Sequence, residues 1–431
     1  MVAVLYQLVL WLALPGVWLR LKWRARKEPE YGQRIAERFG QVPDSVPTNC
    51  VWFHTVSAGE TIAAAGLIRS LCEEFPDYPF LVTTMTPTGS DQVRARLSDC
   101  VAHCYAPYDF KFAVHRFFER VQPKLLVLME TELWPNLIAV AGQHNVPVVV
   151  INARLSARSA AGYARLKGLT QPMLTRLDAI ACQTETHVGR FVELGADPVT
   201  TTAMGSVKYD VALPQRFEES VAALERAFAL SGGPVWIAAS THRGEDDIVL
   251  QALLQARQRN PELRLLLVPR HPVRADEVST LVVEAGLTVS RQSELTHENK
   301  APAEATEVII GDVMGSLLIL YGLADVAFVG GSLVEVGGHN PLEPALCRLP
   351  ILCGPHQFNF SEAMAELEDS GALLTINDAD TLAGGLMHWL GDPQARRRAG
   401  EAASEVLAAH RGATDRLQKL LGGRIRTVFL Q

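Results

Sequence analysis

Short apolar runs alternate along most of this chain with longer stretches whose apolar positions recur at helical spacing. In the first half the runs are residues 51–55, 80–84, 125–129, 146–151 and 179–183, and amphipathic segments such as 61–75 and 111–121 lie between them. Unbroken apolar runs fit strands buried on both faces, and their alternation with helices predicts a parallel sheet. A second series, residues 235–239, 265–268, 308–311, 326–329 and 351–353, follows a polar, proline-bearing stretch around 206–215. The expected fold class is α/β: two doubly wound, Rossmann-like domains facing a cleft at the carboxyl ends of both sheets. Residues 28–207 would form the first domain and 208–215 a linker. Residues 216–431 would form the second, with the mixed-charge helical tail 392–422 included.

Ahead of both domains the pattern changes. Residues 1–19 are apolar except for interruptions at Gln7, Pro15 and Gly16, and Arg20, Lys22, Arg24, Arg26 and Lys27 follow at once. The run is about as long as a bilayer span requires, and basic residues flank the cytoplasmic side of a span. Residues 1–27 therefore read as a signal anchor and its basic flank, placing the body on the cytoplasmic side of a membrane. A cleaved signal peptide carries its charge before the apolar run, not after it. A helix lying in the membrane interface is the open alternative, given the short span and Pro15.

Length and charge narrow the class. A chain of 431 residues exceeds one ordinary core. A formal net charge of −7 argues against a general nucleic-acid binder. Seven scattered cysteines, with no CxxC pair, fit buried thiols in a reducing compartment. Cys100, His103 and Cys104 lie on one short run whose side chains would point to different faces, so no metal site is expected there.

Candidate chemistry gathers where strands end. His54-Thr55-Val56-Ser57-Ala58-Gly59-Glu60 follows the first run. Glu60 falls in the first turn of a helix, whose positive end favours an ionised carboxylate suited to a general base; a plain helix cap is the bland alternative. Glu130-Thr131-Glu132-Leu133-Trp134-Pro135 offers two acids, one of them expected to orient an acceptor. Arg154, Arg158 and Lys208 are placed to meet phosphates. In the second half, Ser240-Thr241-His242-Arg243-Gly244-Glu245 opens a helix, and Pro269-Arg270-His271-Pro272 follows a strand. Gly330-Gly331-Ser332 leads to Gly337-Gly338-His339-Asn340-Pro341-Leu342-Glu343-Pro344. There the glycines would let backbone amides approach a phosphate, Asn340 would cap the next helix, and Glu343 would accept from ribose hydroxyls.

These strings, with Val268-Pro269-Arg270-His271, closely resemble the Kdo (3-deoxy-D-manno-octulosonic acid) transferases of Gram-negative bacteria, in order and spacing, over nearly the whole chain. The resemblance implies an inverting, metal-independent glycosyltransferase of the GT-B fold without a cofactor. CMP-Kdo would be its donor and a tetra-acylated lipid A precursor, lipid IVA, its acceptor, in lipopolysaccharide core biosynthesis. It makes Glu60 the general base and Glu130 a second catalytic acid. Pro269, Arg270, Val313, Met314, Gly315, Ser316, Gly337, Gly338, His339, Asn340 and Glu343 would hold CMP. Ser57, Gly59, Glu132, Arg154 and Lys208 would meet the acceptor. Many relatives carry an acid where Ser316 stands here, so contact at that point would run through backbone atoms. Two rival readings remain: a GT-B enzyme acting on a UDP-sugar, and a non-catalytic, membrane-tethered nucleotide-binding module.

Overall fold

The computed structural model describes residues 2–230, 232–297 and 306–430. Two compact units result: 1–210 together with 411–431, and 211–410. Each holds a seven-stranded, wholly parallel sheet.

In the first unit the strands are β1 (Val51–His54), β2 (Phe80–Thr84), β3 (Ala102–Tyr105), β4 (Leu125–Met129), β5 (Val148–Ala153), β6 (Ala179–Cys182) and β7 (Thr201–Ala203), in the order β3-β2-β1-β4-β5-β6-β7. β1, β2, β4, β5 and β6 are buried at every position, which is why they read as continuous apolar runs. The strand order reverses direction between β1 and β4, so the crevice for a ligand lies at their carboxyl ends. Glu60 follows β1 and Glu130 follows β4.

The second unit contains β8 (Val235–Thr241), β9 (Arg264–Pro269), β10 (Val289–Arg291), β11 (Val308–Ile310), β12 (Val326–Val329), β13 (Ile351–Cys353) and β14 (Leu373–Thr375), in the order β10-β11-β9-β8-β12-β13-β14. Its switch point falls between β8 and β12. The string from Ser240 to Glu245 begins within the end of β8, and Gly330-Gly331-Ser332 follows β12.

The tail corrects the expected domain boundary. It is two helices, and only the first, Pro393–His410, stays with the second unit. The last, Ala413–Leu430, returns to the first. There Ala413, Leu417, Leu421 and Ile425 are fully buried among Leu67, Leu71, Phe75 and the strand residues Val51 and Leu125. Asp210 ties its start, accepting the Gly412 amide at 2.7 Å. The N-terminal helix, Val2–Lys27, contains a stretch long and apolar enough to cross a membrane, Val4–Arg26.

Candidate active site

In the first unit the site begins with a helix cap. Ser57 caps Ala58–Glu74, its Oγ accepting the Glu60 amide at 3.3 Å. The Glu60 carboxylate turns back, accepting from Ser57 Oγ at 2.8 Å and from the Val56 amide at 3.0 Å. This is close to a reciprocal capping box, so the capping role is real. The carboxyl is nevertheless not the readily ionised group that the helix end alone would give. Burial, then the negative charge of Glu132, pushes its pKa up to about 7, against the pull of the Val56 and Ser57 hydrogen bonds. A carboxyl that titrates near neutrality is matched to general-base work.

Behind it, His54 is fully buried, held by Thr83 Oγ1 at 3.0 Å and edge-on to Trp134. Burial lowers its pKa to about 3, so the ring is neutral and serves as packing.

Across the switch point, Glu130 takes a left-handed backbone conformation, φ 52°, and is 9% exposed. Its Oε2 accepts from Arg154 Nε at 2.7 Å, and Lys208 Nζ lies 3.6 Å from Oε1. Two of the three cations expected to meet phosphates, Arg154 and Lys208, are thus directed onto this acid, while Arg158 is exposed. Glu132 accepts from the Trp134 indole at 2.8 Å, and burial raises its pKa. Asn152 at the end of β5 (φ 50°) and Ser240 at the end of β8 (φ 57°) share the left-handed conformation, each at a register shift in its sheet. Strained backbone in non-glycine residues gathers at functional sites.

In the second unit the expected phosphate cradle is already filled. Glu245 is fully buried, and its two oxygens accept from the amides of His242 (2.9 Å), Gly331 (2.7 Å), Ser332 (3.0 Å) and Leu333 (3.0 Å). The Gly338 and His339 amides are spent on the Gly331 and Gly330 carbonyls, at 2.8 and 3.1 Å. These glycines serve close packing instead. A Cβ on Gly330 would sit 2.7 Å from the Ser240 carbonyl oxygen.

Side chains are what this loop offers a ligand. His339 and His242 stack with planes 2° apart, their Nε2 atoms 2.8 Å from each other. Burial, then Arg270, lowers the His339 pKa to about 4. Arg270 is exposed, directly after β9 and Pro269. Asn340 accepts the Leu342 amide and donates to Glu343 at 3.3 Å, while burial raises the Glu343 pKa. Met314 is 75% exposed and Gly315 turns with φ +82°, but Ser316 is buried, its hydroxyl donating to Gln292 and to the Val313 carbonyl.

Elsewhere, the ring of His103 is engaged by Thr84 and Arg34, and among the described residues no group of three metal-ligating side chains converges.

Comparison with known proteins finds relatives over most of the chain. Residues 33–211 match the family model for 3-deoxy-D-manno-octulosonic-acid transferase (kdotransferase), and residues 239–406 match that for glycosyl transferases group 1. A 3-deoxy-D-manno-octulosonic acid transferase of Haemophilus influenzae is 42% identical over 92% of this chain and 92% of its own. The chain belongs to the Kdo transferase family. A second relative of that description, from Bordetella pertussis, is 37% identical over 95% of this chain and 96% of its own. Among solved structures, a UDP-GlcNAc 2-epimerase from Neisseria meningitidis shares the fold of this transferase (TM-score 0.57, 13% identity, 88% of this chain and 99% of that one). The transferase is a glycosyltransferase of GT-B architecture, with each motif at the carboxyl end of a sheet. The Glu245 staple and the His242–His339 pair were not anticipated from sequence. Their only local signal was a Glu in a loop that otherwise read as a phosphate site.

Proposed function

We propose that this enzyme moves Kdo from CMP-Kdo to lipid IVA with inversion and releases CMP, in the assembly of the lipopolysaccharide core. The observation that carries the reading is the Glu60 carboxyl, fixed by Ser57 and the Val56 amide and titrating near neutrality. In the proposed step, deprotonated Glu60 takes the proton of the acceptor hydroxyl. The oxygen forms the new bond to the anomeric carbon of Kdo while the bond to the CMP phosphate breaks. The phosphate leaves with the electron pair. Arg270 stabilises that charge, since the nearby amides and the hydrogen shared between His242 and His339 are already committed. Glu343 and Asn340 hold the ribose, and the backbone at 313–316 lines the nucleotide. Glu130, balanced by Arg154 and Lys208, orients the acceptor beside Ser57, Gly59 and Glu132. The protein works at the cytoplasmic face of the inner membrane, where its lipid acceptor lies.

The test is incubation of the detergent-solubilised protein with lipid IVA and CMP-Kdo generated in situ, the lipid product being weighed by mass spectrometry. A gain of Kdo mass that disappears in Glu60→Ala supports the reading. No gain with folded protein overturns it, and a UDP-sugar screen follows.

A further inference from the structure

The N-terminal helix is long enough to span a bilayer, but it does not stand clear of the body. Among its described side chains, the partly covered positions are Val2, Tyr6, Gln7, Leu10, Leu14, Val17, Arg24 and Ala25, with Leu21 fully buried. From Tyr6 through Leu10, Leu14, Val17 and Leu21 to Arg24 they recur every three or four residues, one stripe along the whole helix.

Specific contacts fix that stripe at both ends. Tyr6 donates to Asp109 at 2.7 Å, Gln7 bonds Asn136, and Trp11 stacks on Phe112 with centroids 5.7 Å apart. Further along, the Arg24 guanidinium lies over Tyr31 at 4.3 Å. Asp109 is itself bound to the backbone of the body, accepting the Asn136 and Leu137 amides. A spanning helix would place Tyr6, Asp109 and Asn136 together within the hydrocarbon, or strip these bonds away. A bilayer core about 30 Å thick offers such polar backbone no partners.

The opposite face is apolar and open. Val4, Leu5, Leu8, Val9, Leu12, Trp18, Leu19 and Trp23 are exposed, and so are Arg20, Lys22 and Arg26 among and after them. Tryptophans interleaved with cations suit the headgroup level of a bilayer containing anionic phospholipid.

We propose that Val2–Lys27 lies in the plane of an anionic bilayer surface, clamped to the body by Tyr6–Asp109 and Gln7–Asn136, with its outer face in the headgroup region. The enzyme is then held on one leaflet and crosses nothing. The choice of a lipid surface rests on the proposed lipid acceptor; the orientation of the helix rests on its own contacts.

Inside-out inner-membrane vesicles carrying the full chain, with an epitope fused ahead of Met1, decide the orientation. Proteinase K added outside should destroy the epitope together with the catalytic units. An epitope that survives until detergent is added means the helix crosses, and overturns the proposal. Kdo transfer, measured on the same vesicles, reports separately on the function. In a second arm, purified protein is mixed with phosphatidylcholine vesicles with and without phosphatidylglycerol. Binding should rise with the anionic lipid, and Arg20→Glu with Arg26→Glu should weaken it by about ten-fold or more. Binding indifferent to both changes would refute the charged-surface contact.

Discussion

Glu245 and Gly331, 86 positions apart in sequence, are joined by a 2.7 Å hydrogen bond from the Gly331 amide to the buried carboxylate. The same carboxylate gathers the His242, Ser332 and Leu333 amides and so staples the loop after β8 to the loop after β12. Its removal orphans four donors at about 1–3 kcal/mol each where water does not enter. Glu245→Ala should therefore cost at least about 3 kcal/mol. Glu245→Gln, which keeps one accepting oxygen, should cost less. Thermal melts of the two variants rank them, and an unchanged midpoint for Glu245→Ala would show that the staple bears no strain.

Glu60 makes a prediction about pH. Its carboxyl is protonated below about 7, and a general base works only when deprotonated. With Glu60 as the proposed base, the rate at limiting acceptor should rise with unit slope on a logarithmic plot below about 7 and level off above it, and Glu60→Gln should lose about 100-fold or more. Stability should move the other way. The unfolded carboxyl loses its proton near its ordinary value, while the folded one keeps it up to about 7. Across that interval the folded state binds more protons, so wild-type stability falls as pH rises. Glu60→Gln should show no such fall at this site. Parallel melts at pH 5 and pH 8 check the difference.

The central strands were legible because each is buried on both faces and so had to be apolar throughout. The edge strands β7, β10 and β14 were not, since their residues are half open to solvent and short. The final helix was readable as a helix, but not its destination. Ala413, Leu417, Leu421 and Ile425 define an apolar stripe that either sheet would accept, and only the tertiary structure shows the first unit taking it. At the site, Glu60, Glu130 and the glycine-rich strings were visible from local spacing. Glu245 was not assigned because its partners lie across the switch point, and a carboxylate filling a nest of amides leaves no periodic trace.

Arg154 separates stability from ligand handling. Its side chain is 49% exposed and pairs with the buried Glu130 carboxylate. The arginine is half exposed but its partner is buried, and Lys208 Nζ at 3.6 Å remains to balance that charge, so Arg154→Ala should cost about 1–2 kcal/mol. If Glu130 orients the acceptor, freeing its Oε2 should still reduce kcat/KM for lipid IVA by about ten-fold, equivalent to roughly 1.4 kcal/mol of transition-state binding. Steady-state kinetics beside a melting curve test the split. An activity loss that tracks the loss of folded protein would deny Glu130 that role.

Gly337 carries a steric prediction in the loop proposed to hold the donor. Its φ of +102° is one that side-chain-bearing residues rarely adopt, and a Cβ there would meet Phe358 at 2.4 Å and Asn359 Nδ2 at 2.7 Å. The phenyl ring is 65% exposed and free to swing, but Asn359 is held by the Val336 and Gly338 carbonyls. Gly337→Ala should therefore displace the loop that presents His339 and Asn340, raising KM for CMP-Kdo while the fold survives a cost of about 1–3 kcal/mol. Gly286 provides the comparison. Its φ is +77° with nothing within 4 Å of the added carbon, and it follows the helix Ala275–Glu284. Gly286→Ala should lose stability to backbone strain alone and leave the donor KM unchanged. Equal KM shifts in both variants would mean that strain anywhere in this unit reaches the donor site, and that the loop contact at Gly337 is not what matters.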